Sequence, residues 1–246
     1  MKIVTRGFFP EDTTNFSPEA LVILKQACCD VKYLIDNGYP IKSASEFVGN
    51  HYLLSERQRL CVVRSTSPQK QLIIRHQKQC QTLSENAIVC IDGFNTVITL
   101  EVALSQSPVF RCMDGTLRDL AGLRGTYRII DKTEPALHMI ASTLEQYHIK
   151  KAIIYFDAPV SNSGRLAQKT RECFSDYDFI TEVAVINDVD RVLQKCEYVI
   201  SSDAIILDNC ISWYNLTTEI LKQNHLYQNT LCIWDETQNI INNTFE

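Results

Sequence analysis

Five short apolar runs, each ending at or just before an aspartate and each separated from the next by intervening sequence, most restrict what this chain can fold into. They occupy residues 88–91 before Asp92, 151–156 before Asp157, 181–186 before Asp188, 198–202 before Asp203 and 230–234 before Asp235. Helical stretches are expected over 135–147, 164–174, 189–195 and 212–223. Runs that are apolar throughout, rather than alternating, predict strands buried on both faces, as in a parallel sheet covered by helices. Strands of such a sheet point the same way, so their aspartates gather on one edge, and ligands bind beyond the carboxyl ends of the strands. Two carboxylates about 4 Å apart repel by roughly 4 kcal/mol at an effective dielectric near 20. A group of them therefore calls for protons, nearby Arg or Lys, or a hard divalent cation such as Mg²⁺ or Mn²⁺. A single aspartate of this kind would be explained as a helix cap.

The first part of the chain has a different texture. Residues 1–87 hold 11 basic and 8 acidic side chains, whereas 88–246 hold 13 and 21. A net +3 module thus precedes a net −8 module within a chain of net charge −5. The averaged charge speaks against nucleic acid as a partner, but the divided charge does not. A helix is predicted over 18–37, with Ser17 as N-cap, Pro18 in its first turn and Gly38 as its stop. A short helix follows over 43–48. Ser55-Glu56-Arg57-Gln58 reads as a capping box opening a helix to about Arg64, and Ser67-Pro68 starts another. Helix, glycine-bearing turn and capped helix outline a helix-turn-helix. Its second helix carries Arg57, Arg59 and Arg64, and six Lys/Arg with no Asp or Glu lie between Arg57 and Ser84. That stretch suits either a phosphate backbone or a solvated face packed on the neighbouring domain.

Other chemistries lack their signatures. No C-x-x-C occurs among the ten cysteines, most of which sit in apolar runs as small core residues. The five histidines lack metal-ligand spacing, no G-x-G-x-x-G or Walker A loop is present, and there is no G-x-S-x-G. No nucleotide cofactor is therefore expected. The first residues form no signal peptide and no run could span a bilayer. The expectation is a cytoplasmic protein without a membrane partner, with pairing into a homodimer left open.

Several motifs carry a resemblance. Ile91-Asp92-Gly93-Phe94-Asn95, Phe156-Asp157, Asn187-Asp188-Val189-Asp190 and Ser201-Ser202-Asp203 resemble, in order, the strand-end motifs of NYN-type nucleases within the PIN-like superfamily. The whole chain also resembles the prokaryotic domain-of-unknown-function family 434. That likeness lies in Asn37-Gly38-Tyr39-Pro40, residues 54–59, residues 92–96, residues 118–127 and residues 159–165. Charge and texture divide the chain into a small helical domain (1–87) and an α/β domain (88–246), and for the latter the likenesses imply a PIN-like three-layer α/β/α fold with a mostly parallel five-stranded sheet. They also imply metal-dependent phosphodiester cleavage, on RNA more than DNA. Asp92, Asp157 and Asp203 would hold Mg²⁺ or Mn²⁺, with Asp188 a further metal ligand. Asn95 would orient a ligand or water, and Asp119, placed early on an expected helix, is a further catalytic carboxylate. Arg118, Arg124 and Arg165 are candidate phosphate contacts, with surface salt bridges the alternative for the first two. Ser161 and Asn162 precede a helix and could cradle a phosphate or simply cap it. Asp208 is either a cap or catalytic. A non-catalytic nucleic-acid binder and a small-molecule phosphatase or phosphotransferase are the competing functions.

Overall fold

The structure, a computed structural model, describes residues 4–122 and 125–234. A helical region comes first: α1 (Asp12–Asn15), α2 (Pro18–Asp36), α3 (Ile41–His51), α4 (Glu56–Ser65) and α5 (Gln69–Lys78). Its start signals act as expected. The Ser17 hydroxyl accepts the Ala20 N–H at the head of α2, and Ser55 and Gln58 form a reciprocal capping box on α4. The inward stripe of α2, Leu24, Ala27, Cys28, Val31 and Ile35, is buried against α3 and α4.

The chain then passes through β1 (Gln79–Cys80), β2 (Ile88–Asp92), α6 (Gly93–Leu104), β3 (Val109–Arg111), β4 (Leu117–Asp119) and α7 (Thr133–Gln146). It continues with β5 (Lys151–Asp157), α8 (Ser163–Phe174), β6 (Ile180–Ile186), α9 (Val189–Leu193), β7 (Val199–Ile200) and α10 (Ala204–Asn209). Last come β8 (Trp213–Tyr214), α11 (Leu216–Gln223) and β9 (Leu231–Cys232). The main sheet is six-stranded and wholly parallel, in the order β1-β8-β7-β2-β5-β6. The pleat divides its side chains between two cores. Val89, Ile91, Ala152, Ile154 and Phe156 face the core shared with α6, α7, α8 and α11. Cys90, Ile153 and Tyr155 face the opposite core under α9 and α10.

The five-stranded expectation is corrected in two ways. Two-residue strands, β1 and β8, extend the sheet; β8 takes up the first residues of the helix expected over 212–223, which begins only at Leu216. The run near 230–234 leaves the main sheet. Its strand β9 pairs in parallel with β3 in a second, three-stranded sheet, while Ile233 and Trp234 pack into the helical core. Asp235, expected to follow it, lies outside the described residues. The helix expected around Arg118 and Asp119 is instead the second strand of an antiparallel hairpin, β3–β4. The cause is local: Asp114 accepts hydrogen bonds from the Thr116 N–H (3.1 Å) and hydroxyl (2.6 Å), and Gly115 takes φ +77°. Asp-Gly is a strong hairpin signal.

The small sheet joins the two regions. Val109 and Leu117 belong to the main core, whereas Phe110 and Leu120 belong to the helical one. Beneath it, Arg75 of α5 pairs with Asp114 (2.6 Å) and Asp208 (2.7 Å), and Arg118 of β4 pairs with the same Asp114. Burial pushes the Asp114 carboxyl up, but Arg118 and Arg75 outweigh it and hold the group at about 2.

Candidate functional site

Along the main sheet the chain runs β2, β5, β6 in one direction and then returns to β7 on the other side of β2. The strand order therefore reverses between β2 and β7, which is where open α/β sheets bind ligands. Asp92 closes β2 and Asp203 follows β7, so both aspartates stand at that crevice.

Each is also a helix cap. Asp92 accepts the Asn95 N–H (3.2 Å) at the start of α6, and Asp203 accepts the N–H groups of Ile205 (2.8 Å) and Ile206 (3.2 Å) on α10. The two are stitched together by their neighbours. The Ser201 hydroxyl donates to Asp92 Oδ2 (2.9 Å) and accepts the Asp203 N–H (3.0 Å). Asn95 Oδ1 accepts both the Ser202 N–H (2.8 Å) and its hydroxyl (2.9 Å). The crevice needs glycine after Asp92, because a Cβ on Gly93 would fall 2.3 Å from the Phe156 ring.

The electrostatics here are the reverse of those at Asp114. Asp92 is only 8% exposed, and its carboxyl is pushed up to about 7. Burial is the main cause. The hydrogen bonds from Ser201 and Asn95 lower it, while Asp203 and Asp190 raise it further. Asp190 on α9 is raised as well, first by burial and then by Asp203, Asp157 and Asp188. Asp157 ends β5 and accepts the Val189 N–H (3.4 Å), and Asp188 sits in the left-handed region at φ +60°. Four of the five expected strand-end aspartates thus interact through Asp190, which was not among the candidate ligands. Its signal was the doublet Asp188-Val189-Asp190, in which the αL turn at Asp188 redirects the chain. The all-carboxylate donor set suits a hard divalent cation. Among the described residues, however, no three His, Cys, Asp or Glu side chains gather closely enough to hold one. Asp119 stands apart on β4, where its carboxylate accepts the Thr99 hydroxyl (3.0 Å) and the Ala121 N–H (2.8 Å).

The candidate cations are placed unequally. Arg57 is spent inside the fold, on Asp12 and on the carbonyls of Leu120 (2.9 Å) and Gly7 (2.6 Å). Arg59 closes the end of α3 through the carbonyls of Leu54 and Glu46 and the side chain of Asn50, lying against Gly49. Arg118 is buried and donates to the carbonyls of Ser202 (2.7 Å) and Arg64 (2.6 Å), so it positions the Ser201–Asp203 loop from behind. Ser161 and Asn162 hold the backbone of Tyr127, the latter through its carbonyl at 2.7 Å. Asp208 serves Arg75. Arg165 is exposed on α8, and Arg124 lies outside the described residues. Arg64 donates to the Asp119 carbonyl and keeps a side chain 38% exposed. Arg75, buried at the centre of the inter-region network, carried no sequence signal as a site residue. No helix among the described residues is long and apolar enough to cross a membrane.

Two family models match successive parts of the chain. Residues 80–219 match the family described as "Domain of unknown function (DUF5616)", and residues 23–78 match "Protein of unknown function (DUF434)". The likeness to family 434 thus holds for the helical region, while the α/β region matches a different family. A curated relative, "Uncharacterized protein MJ0935" of Methanocaldococcus jannaschii, is 35% identical over 185 residues, covering 75% of this chain and 88% of the relative. No solved structure matches. Neither family description names a nuclease.

Proposed function

The chain belongs to the family described as domain of unknown function DUF5616, and from that premise we propose that it cleaves phosphodiester bonds, with RNA as substrate and Mg²⁺ or Mn²⁺ as cofactor. The observation that carries this reading is the uncompensated acidity of the crevice. Asp92 and Asp203 flank the point where strand order reverses, and the charges acting on nearby Asp190 are all carboxylates. The buried Asp114 nearby shows the other solution, two arginines. An acidic group left without such partners at a ligand-binding edge suits a divalent cation brought by or with the substrate.

Asp92 and Asp203, joined through Ser201, would face the ion, and Asp190, Asp157 and Asp188 would add negative charge around them; since no three of these side chains meet at one point, the substrate's phosphate would have to complete the site. The ion would supply an acidified water and charge compensation at the scissile phosphate. The chain's own residues set the geometry. Ser201 ties Asp92 to the Asp203 backbone, Asn95 anchors the Ser202 loop, and Arg118 braces that loop through the Ser202 carbonyl. The order of strand-end motifs resembles that of PIN-like NYN nucleases and supports the same reading.

The test is a substrate screen of the full chain with Mn²⁺: single-stranded RNA, single-stranded DNA and a phosphomonoester, each with wild type and Asp92→Asn. RNA cleavage that falls at least about a hundredfold in the variant is the expected outcome. Phosphomonoester turnover without RNA cleavage would make the protein a phosphatase, and RNA binding without cleavage would make it a non-catalytic binder. Either result ends the nuclease reading.

A further inference from the structure

Beside Asp203 lies a cleft of about 370 Å³ whose two walls come from different regions of the chain. Asn95 and Asp203 line one wall, and Arg64, Gln71, Val63 and Ile41 of the helical region line the other. The volume is at the small end of the range for small-molecule sites, room for one nucleotide unit and too little for a duplex.

Two donors in this cleft are left over, beside the Asp203 carboxylate, of which one oxygen caps α10. Asn95 cannot be flipped, because the Ser202 backbone N–H can only donate and must therefore face the amide oxygen. The Asn95 amide nitrogen then has no partner among the described residues. On the facing wall, one nitrogen of Arg64 is held by the Asp119 carbonyl. The carboxylate of Asp119 stands off at 4.0 Å, since Thr99 and the Ala121 N–H already hold it. Arg75 and Arg118, which also reach the cleft, are neutralised by Asp114 and Asp208. Arg64 is the arginine of this cleft whose charge is least compensated. A cation and an amide donor on opposite walls suit phosphoryl oxygens, where a guanidinium is the preferred partner. Val63 and Ile41 offer an apolar surface for a ring beside them.

We propose that this cleft binds one unpaired nucleotide unit, with its phosphate between Arg64 and Asn95 and its base against Val63 and Ile41. The helical region would then be half of a substrate site rather than a separate nucleic-acid-binding module. This deepens the phosphodiesterase reading by naming the part of the substrate held next to Asp203, but the binding itself does not depend on catalysis.

The experiment is calorimetric titration of the full chain, in chelator, with adenosine 5′-monophosphate, adenosine, inorganic phosphate and short single-stranded and duplex RNAs. The mononucleotide and the single strand should bind. Adenosine, phosphate and duplex should each bind roughly tenfold more weakly or worse, and Arg64→Ala and Asn95→Asp should each cost about tenfold for the mononucleotide. Circular dichroism checks that the variants fold, and Asn95→Asp keeps the bonds to Ser202. No mononucleotide binding at millimolar concentration overturns the proposal. So does phosphate binding as well as the mononucleotide, duplex matching single strand, or a folded Arg64→Ala of wild-type affinity. Because chelator removes the metal, mononucleotide binding without any RNA cleavage would keep this site and reject only the nuclease.

Discussion

Replacing Asp92 by Asn should make the metal-free protein more stable, and by an amount that depends on pH. The carboxyl titrates at about 7 in the fold against 3.8 as its ordinary value, chiefly because burial disfavours its charge. Between those two values the folded state holds the proton that the unfolded chain has released. Stability therefore falls as pH rises through that window, and the full cost is present above about pH 7. At 1.36 kcal/mol per unit, that cost is about 4 kcal/mol at pH 8 and about 2 kcal/mol at pH 5.5. Asn copies the neutral form. Its oxygen can still accept the Asn95 N–H, and its amide nitrogen can donate to the Ser201 hydroxyl. At roughly 2–4 °C per kcal/mol for a chain of this size, the variant's melting temperature should rise on the order of 10 °C at pH 8 and about half that at pH 5.5. Thermal denaturation followed by circular dichroism in chelator measures both. Mn²⁺ should then stabilise wild type more than the variant, because the ion restores the charge partner that the crevice lacks. A variant no more stable than wild type at pH 8, or a gain equal at both pH values, would refute the account of Asp92 as a buried carboxylate short of positive charge.

Two further outcomes test the scaffold that holds this crevice. Among the described residues Arg75 is the only ion-pair partner of Asp208 and one of two for Asp114, so Arg75→Met should cost about 3–5 kcal/mol in urea unfolding; a loss under about 1 kcal/mol would mean the network contributes little. Gly93→Ala should cost about 1–3 kcal/mol through overpacking on Phe156, and a second substitution, Phe156→Leu, should recover part of it if the ring is the obstacle.

The parts of this protein visible in its sequence are those whose cause is local. The runs at 88–91, 151–156 and 181–186 became β2, β5 and β6 because an apolar run flanked by helices has few other uses in a chain of this size. Ser17 and Ser55 capped their helices because capping needs only neighbours a few residues away. Asp92 and Asp203 came together because a parallel sheet sends equivalent strand ends to one edge. The misplaced parts depend on distant partners. Strands β1 and β8 are two residues each; β8 adds to β7 and β1 adds to β8. Arg57 is absorbed by Asp12, 45 residues away; Arg59 and Arg118 are absorbed by groups close in sequence, the end of α3 and Asp114, but only the folded turn and the hairpin bring those groups onto the guanidinium. Asp114-Gly115 was a legible turn signal between the apolar pairs of β3 and β4, and it was the helix expected at Arg118 that obscured it. Asp190 was masked by its neighbour Asp188, since only the left-handed turn decides which of the two faces the crevice.

The pairing of β1 has a consequence for the order in which the protein takes shape during synthesis. Gln79 lies beside Trp213, and the core under α2 is completed by Ile233 and Trp234. The helices at the start of the chain are made first but lack part of their packing until these late residues leave the ribosome. At roughly 5–20 residues per second, that wait is on the order of ten seconds. During it the apolar faces of α2 and α4 are partly uncovered, and cellular holding factors have their opportunity. The cleft beside Asp203, which needs α4 and α5 on one side and the strand ends on the other, forms only after β7 and the start of α10 have been made.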